Sequence, residues 1–171
     1  RDLIRLRLFE DLQVDAVLTR VDQTDFSFTW VGRIRGDRES GDVNITFGRG
    51  MILGRVNISG KGLFRISQPE SGKCLVEEMG PAEVEPAPPL IPDGEFARED
   101  NQDPGAESET YGIIEVMVIW SKDAESEAKG EGSDVQVEIA QAVSMANTAY
   151  ANSEVFQRIA LVDSYRTEYY S

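Results

Sequence analysis

The sequence predicts an α+β protein in two parts. Residues 1–79 read as an antiparallel all-β domain, a small sandwich or partly closed barrel, and residues 112–171 as a β-α-β unit. Three observations carry this. Apolar and polar residues alternate through the first part with turn residues at short intervals. A stretch dense in proline and carboxylates then divides the chain, and beyond it an apolar run, a helical pattern and a second apolar run follow in close succession.

In the first part Ile4, Leu6 and Leu8 alternate with Arg5 and Arg7, and Phe26, Phe28 and Trp30 with Ser27 and Thr29. Val43, Ile45 and Phe47 do likewise, as do Ile52, Val56 and Ile58. Period two sends successive side chains to opposite faces of a strand. Gly36-Asp37, Gly48-Arg49-Gly50, Ser59-Gly60-Lys61-Gly62 and Pro69-Glu70-Ser71-Gly72 suit hairpin turns, so six or seven short strands form a meander without a helix. Phe26, Phe28 and Trp30 are expected in the core. Arg33, Arg35, Arg49, Arg55 and Arg65 fall on the polar faces, where they meet cross-strand carboxylates or hold this part against an acidic neighbour. Cys74, the only cysteine, is expected as a small apolar residue of the last strand, and alone it permits no intrachain disulfide.

Residues 80–111 differ in kind. Six of the seven prolines and nine carboxylates fall here with few apolar residues, too few to offset the entropy of ordering. An extended, self-repelling linker is expected, open to proteolysis, with Arg98 its only basic residue.

The second part opens with Ile113 to Trp120, a nearly unbroken apolar run that predicts a strand covered on both faces. Ser121 to Gly132 is a charged turn or short helix. From Val135 to about Ala151 a helix is predicted, with Val135, Ile139, Val143, Ala146 and Tyr150 on the face turned to the sheet and Ser133 with Gln136 forming its capping box. Phe156, Ile159, Leu161 and Val162 begin a second strand, and two strands joined by a helix imply a parallel pair with a right-handed crossover.

Ile114-Glu115-Val116-Met117-Val118-Ile119-Trp120-Ser121, then Ala146-Asn147-x-Ala149-Tyr150-Ala151-Asn152-Ser153, then Arg158-Ile159-x-Leu161-Val162, resembles the opening of a reprolysin-like zinc metallopeptidase of the metzincin clan. It is similar to bacterial secreted enzymes of the peptidyl-Asp metalloendopeptidase kind. Trp30-Val31-Gly32-Arg33-Ile34-Arg35-Gly36 and the Glu77-Glu78 pair resemble the propeptide of such precursors. The resemblance implies a zymogen fragment: a propeptide that aids folding and latency through contact with the protease, an acidic linker where maturation cleavage falls, and the truncated start of a hydrolase that acts on protein or peptide substrates. Zinc would be a cofactor of the full-length protein, its His-Glu-x-x-His ligands lying outside this segment. Two residues are candidates for metal roles: Cys74 as an inhibitory zinc ligand, although its surroundings depart from known cysteine-switch motifs, and Glu115 as a structural calcium ligand. The resemblance implies export, secreted or periplasmic, with the signal peptide absent from this segment.

The segment itself carries no catalytic or cofactor-binding residue. It has no histidine, no nucleophile elbow, no phosphate loop, no CxxC and no dinucleotide fingerprint. A formal charge of -14 without a basic stripe argues against nucleic acid, and no apolar run is long enough to span a membrane. The alternative is a non-enzymatic extracellular binding or adhesion module.

Overall fold

The computed structural model describes residues 2–36, 40–68, 72–80 and 112–168. Its architecture is α+β, with a curled antiparallel sheet like half a barrel, a parallel strand pair and two helices. The linker expected over 80–111 lies, apart from Gly80, outside the described residues, as do parts of the turns expected at Gly36-Asp37 and Pro69–Gly72.

Seven strands make the meander, β1 (Leu3–Arg7), β2 (Gln13–Gln23), β3 (Ser27–Ile34), β4 (Gly41–Gly48), β5 (Met51–Ile58), β6 (Gly62–Ser67) and β7 (Leu75–Met79). Each pairs only with its sequence neighbours, in the order β1 to β7. Period two sorts the side chains cleanly. Trp30, Val43, Ile45, Val56, Ile58 and Phe64 fill the face that the curl encloses. Gly32 has room for no side chain, since a Cβ there would lie 2.3 Å from the Trp30 ring. The other face is polar, yet Thr29, Asn44 and Thr46 on it are fully buried, and the Thr29 and Thr46 hydroxyls bond each other at 2.9 Å. Something must cover that face.

The aromatic expectation needs correction. Trp30 is core, but Phe28 is 46% exposed and stacks on Phe47 with ring centroids 4.9 Å apart. Phe26 precedes β3 and is half-buried under the Arg49 guanidinium, 5.6 Å from its ring centre. The β4–β5 turn places that arginine. Arg49 and Gly50 both take positive φ, 50° and 76°, which a two-residue hairpin of matching twist requires. Open space surrounds Gly50, so Gly50→Ala isolates the backbone cost: about 1 kcal/mol lost, read by denaturant unfolding.

The second part runs β8 (Ile113–Trp120), α1 (Lys122–Gly130), α2 (Val135–Asn152) and β9 (Arg158–Arg166), with β8 and β9 parallel as expected. The N-cap of α2 is Asp134, which accepts from the amides of Gln136 and Val137; the capping box expected of Ser133 is absent, and its hydroxyl is buried without a partner among the described residues. The carboxylate one residue on reaches the free amides and adds the charge that a helix start favours. In α1, Glu125 accepts from Lys129 at 2.7 Å and from Arg166 of β9 at 3.1 Å. These donors hold its carboxyl below the ordinary glutamate range. A lowered value means that the tie between α1 and β9 persists through neutral pH and is lost as pH falls through that value.

Two further expectations about this part fail. Strand β8 is not covered on both faces: Ile113 is 69% and Met117 54% exposed, with Ile119 beside them. Its Val116, Val118 and Trp120 side chains are only partly buried. The face of α2 is also not the one the apolar stripe marked. Ile139 is buried, but Val135, Val143, Ala146 and Tyr150 are only partly so, while Val137, Gln141, Ser144 and Thr148 form the most buried row. The helix lies between two sheets, touching β3, β4 and β5 on one side and β9 on the other.

Candidate functional site

The covered polar face of the meander and the Gln141-Ser144-Thr148 row of α2 meet in a clasp. At its centre Arg20 donates from Nε to Asp22 at 2.9 Å and from Nη2 to the Ser144 carbonyl at 2.8 Å and the Thr148 hydroxyl at 2.9 Å. The Ser144 hydroxyl donates to Asp22 Oδ2 at 2.5 Å, and the Thr148 hydroxyl lies 3.0 Å from Asn44 Oδ1. Two β2 side chains thus read one turn of the helix by charge and by backbone. The bulge between Leu18 and Arg20 shifts the strand register at this point.

Charged pairs surround that centre, and they bear on the expectation that arginines hold the two parts together. Arg65 pairs with Glu131 at 2.9 Å and approaches Glu138 at 4.0 Å. Arg49 bonds Gln136 and lies 3.7 Å from Asp134, so the β4–β5 turn grips the start of α2. Arg33 reaches Asn152 at its far end, at 3.4 Å. Three of the five arginines therefore make the cross-contact. Arg55 meets Met79 instead, and Arg35 bonds Asp15 through its backbone amide.

On the opposite side α2 is tied to β9 by one side chain. Asn147 Nδ2 donates to the Ile159 carbonyl at 2.9 Å, and its Oδ1 accepts from the Ile159 amide at 2.8 Å. The carboxamide acts as a one-residue strand partner, closing the crossover against β9 without a peptide of its own.

The metal candidates are not brought together. Cys74 is exposed and precedes β7, so the expected apolar strand role fails too. Glu115 is exposed on β8, and among the described residues no three His, Cys, Asp or Glu side chains gather as a metal site. Zinc calls for imidazole and thiolate donors. With no histidine and one cysteine the chain supplies no such donor set itself, and among the described residues Glu115 belongs to no cluster of three metal-ligating side chains. Among the described residues no helix is long and apolar enough to cross a membrane.

The site here is a contact surface. No family model, curated protein or solved structure matches the chain. The clasp therefore has to be read from its own geometry. Sequence reasoning passed over Arg20, Asp22, Ser144 and Thr148. The signals were present: Arg20 and Asp22 share a strand face, and Ser144 and Thr148 lie four apart on the same helix.

Proposed function

We infer that the chain is a segment of a secreted zinc metalloendopeptidase precursor, in which the meander is the propeptide and β8-α2-β9 opens the protease domain. The observation that carries this reading is the place of the Ala146-Asn147-x-Ala149-Tyr150-Ala151-Asn152-Ser153 string. Its Asn147 bonds both backbone groups of Ile159 and so fixes the crossover, while the adjacent row of the same helix is held by the meander. A propeptide that gripped the long crossover helix of its protease would template that helix and release it after cleavage. The interface suits release, since hydrogen bonds and ion pairs make up much of it beside a small apolar contact at Val137.

The full-length precursor tests this. A His-Glu-x-x-His signature is expected downstream of Ser171, with one zinc per chain and proteolytic activity that appears on cleavage within residues 81–111. A precursor lacking the signature, or one that binds no zinc, removes the reading.

A second expectation concerns the clasp alone. After limited proteolysis between residues 81 and 111, the two pieces should co-elute at low ionic strength and separate as salt rises. Exposed ion pairs are each worth about 1 kcal/mol or less and are screened by salt. Pieces that stay together equally well at any salt concentration would show that the arginines contribute nothing to the grip.

A further inference from the structure

A cleft of about 440 Å³ opens beside the clasp, between β5, β6 and α2, with Arg55, Arg65, Glu138 and Gln141 in its walls and Leu53 and Met145 as its apolar side. Arg55 and Arg65 stand directly opposite each other in the β5–β6 register. Like charges in that position repel unless an anion lies between them. The two are unequally served. Arg65 has Glu131, whereas among the described residues no carboxylate comes within ion-pair distance of Arg55, whose guanidinium meets the Met79 sulfur. Burial, followed by the charge of Arg65, pushes the Arg55 pKa down, and the more distant Glu138 and Glu131 offset this only in part.

An independent observation points to the same occupant. Gln141, which lines this cleft, is only 7% exposed, and its Nε2 is buried with no acceptor among the described residues. An amide N–H in that state is a donor awaiting a partner. The cleft thus holds one under-served guanidinium and one orphan amide beside an apolar wall. Glu131 and Glu138, which also line it, disfavour a doubly charged anion.

We propose that this cleft binds a small organic carboxylate bearing an apolar substituent, the carboxylate seated on Arg55 and Gln141 and the substituent on Leu53 and Met145. The chemistry is shared by a free short-chain acid and by the C-terminal residue of a peptide. The site does not depend on the peptidase reading, and because it spans the meander and α2, its ligand would strengthen the clasp.

The test uses the 171-residue chain, labelled with nitrogen-15. Sodium butyrate and N-acetyl-Ala-Leu are titrated at constant ionic strength against the side-chain amide signal of Gln141, with N-acetyl-Ala-leucinamide and phosphate as controls. At least one carboxylate is expected to shift that signal saturably and to raise the thermal midpoint, and the tighter of the two identifies the source. Arg55→Met and Gln141→Leu should each weaken binding by about tenfold, the loss of one charge-assisted or buried hydrogen bond. Gln141→Glu supplies a carboxylate within the chain and should raise the midpoint while cancelling the response to ligand. The proposal is overturned if neither carboxylate saturates, if the neutral amide binds as well as the acid, or if phosphate binds more tightly than both. The wild-type comparison of acid with amide stands even if a variant fails to fold.

Discussion

Asp22→Ala should loosen α2 from the meander by about 2–3 kcal/mol while leaving the meander itself folded. Asp22 accepts from Arg20 and from the Ser144 hydroxyl. Removing it leaves a guanidinium in a part-buried site with only the Ser144 carbonyl and Thr148 hydroxyl, and leaves Ser144, itself buried, without its acceptor. The unpaired groups account for most of the cost, since the side chains of Arg20 and Asp22 stay about a third exposed and their charge attraction alone is modest. Hydrogen exchange separates the two levels. Amides of α2 should lose protection, and those of β4 and β5, enclosed around Val43 and Val56, should keep theirs. Asp22→Asn should cost less, because it retains an oxygen for Arg20. In Arg20→Met with Asp22→Ala the losses should fall short of additive, as they do for residues that share one network. If both single variants leave α2 protection unchanged, the centre of the clasp is elsewhere.

How much of this was legible beforehand depends on what each residue answers to. The meander could be read because strand alternation is local: Val43, Ile45 and Phe47 against Asn44 and Thr46 declare two faces without reference to anything distant. The parallel pairing of β8 and β9 followed from the helix between them. The faces of β8 and α2 could not be read the same way. An apolar run states a preference for burial but not how many layers are available, and no residue of β8 is fully buried. The Val135-Ile139-Val143 stripe suggested a single buried face, but α2 lies between two sheets and its most buried row is the one that meets a polar surface. Buried serines and threonines become intelligible only when their partners are known, and those lie more than a hundred residues away: Asp22 for Ser144, Asn44 for Thr148. The arginines occupied a middle ground. Their polar face was legible from alternation, and the acidity of the second part suggested a destination, but only position in the fold distinguishes Arg49 and Arg65, which reach it, from Arg55, which does not.

Asn147→Ala should destabilise the β8-α2-β9 unit by about 2–4 kcal/mol, from two hydrogen bonds lost and two backbone groups left behind. The Ile159 amide and carbonyl both bond this carboxamide, and Ile159 is half-buried, so water replaces it only in part. Substitutions that separate donor from acceptor sharpen the point. Asn147→Asp retains an acceptor for the Ile159 amide but sets a carboxylate against the Ile159 carbonyl, so it should be no better than alanine at neutral pH and should recover as acid protonates it. A serine is too short to reach both groups. Urea unfolding followed by the fluorescence of Trp120, which lies in β8, reports on this unit, although Trp30 must first be replaced by phenylalanine in the reference chain. The sign of the pH effect is diagnostic: a carboxylate forced against an acceptor has its pKa raised by folding, so the Asp variant gains stability as pH falls through that raised value. If alanine and wild type unfold alike, the asparagine in the helical string has no structural duty, and the string loses the physical reason for its pattern on which the protease reading leans.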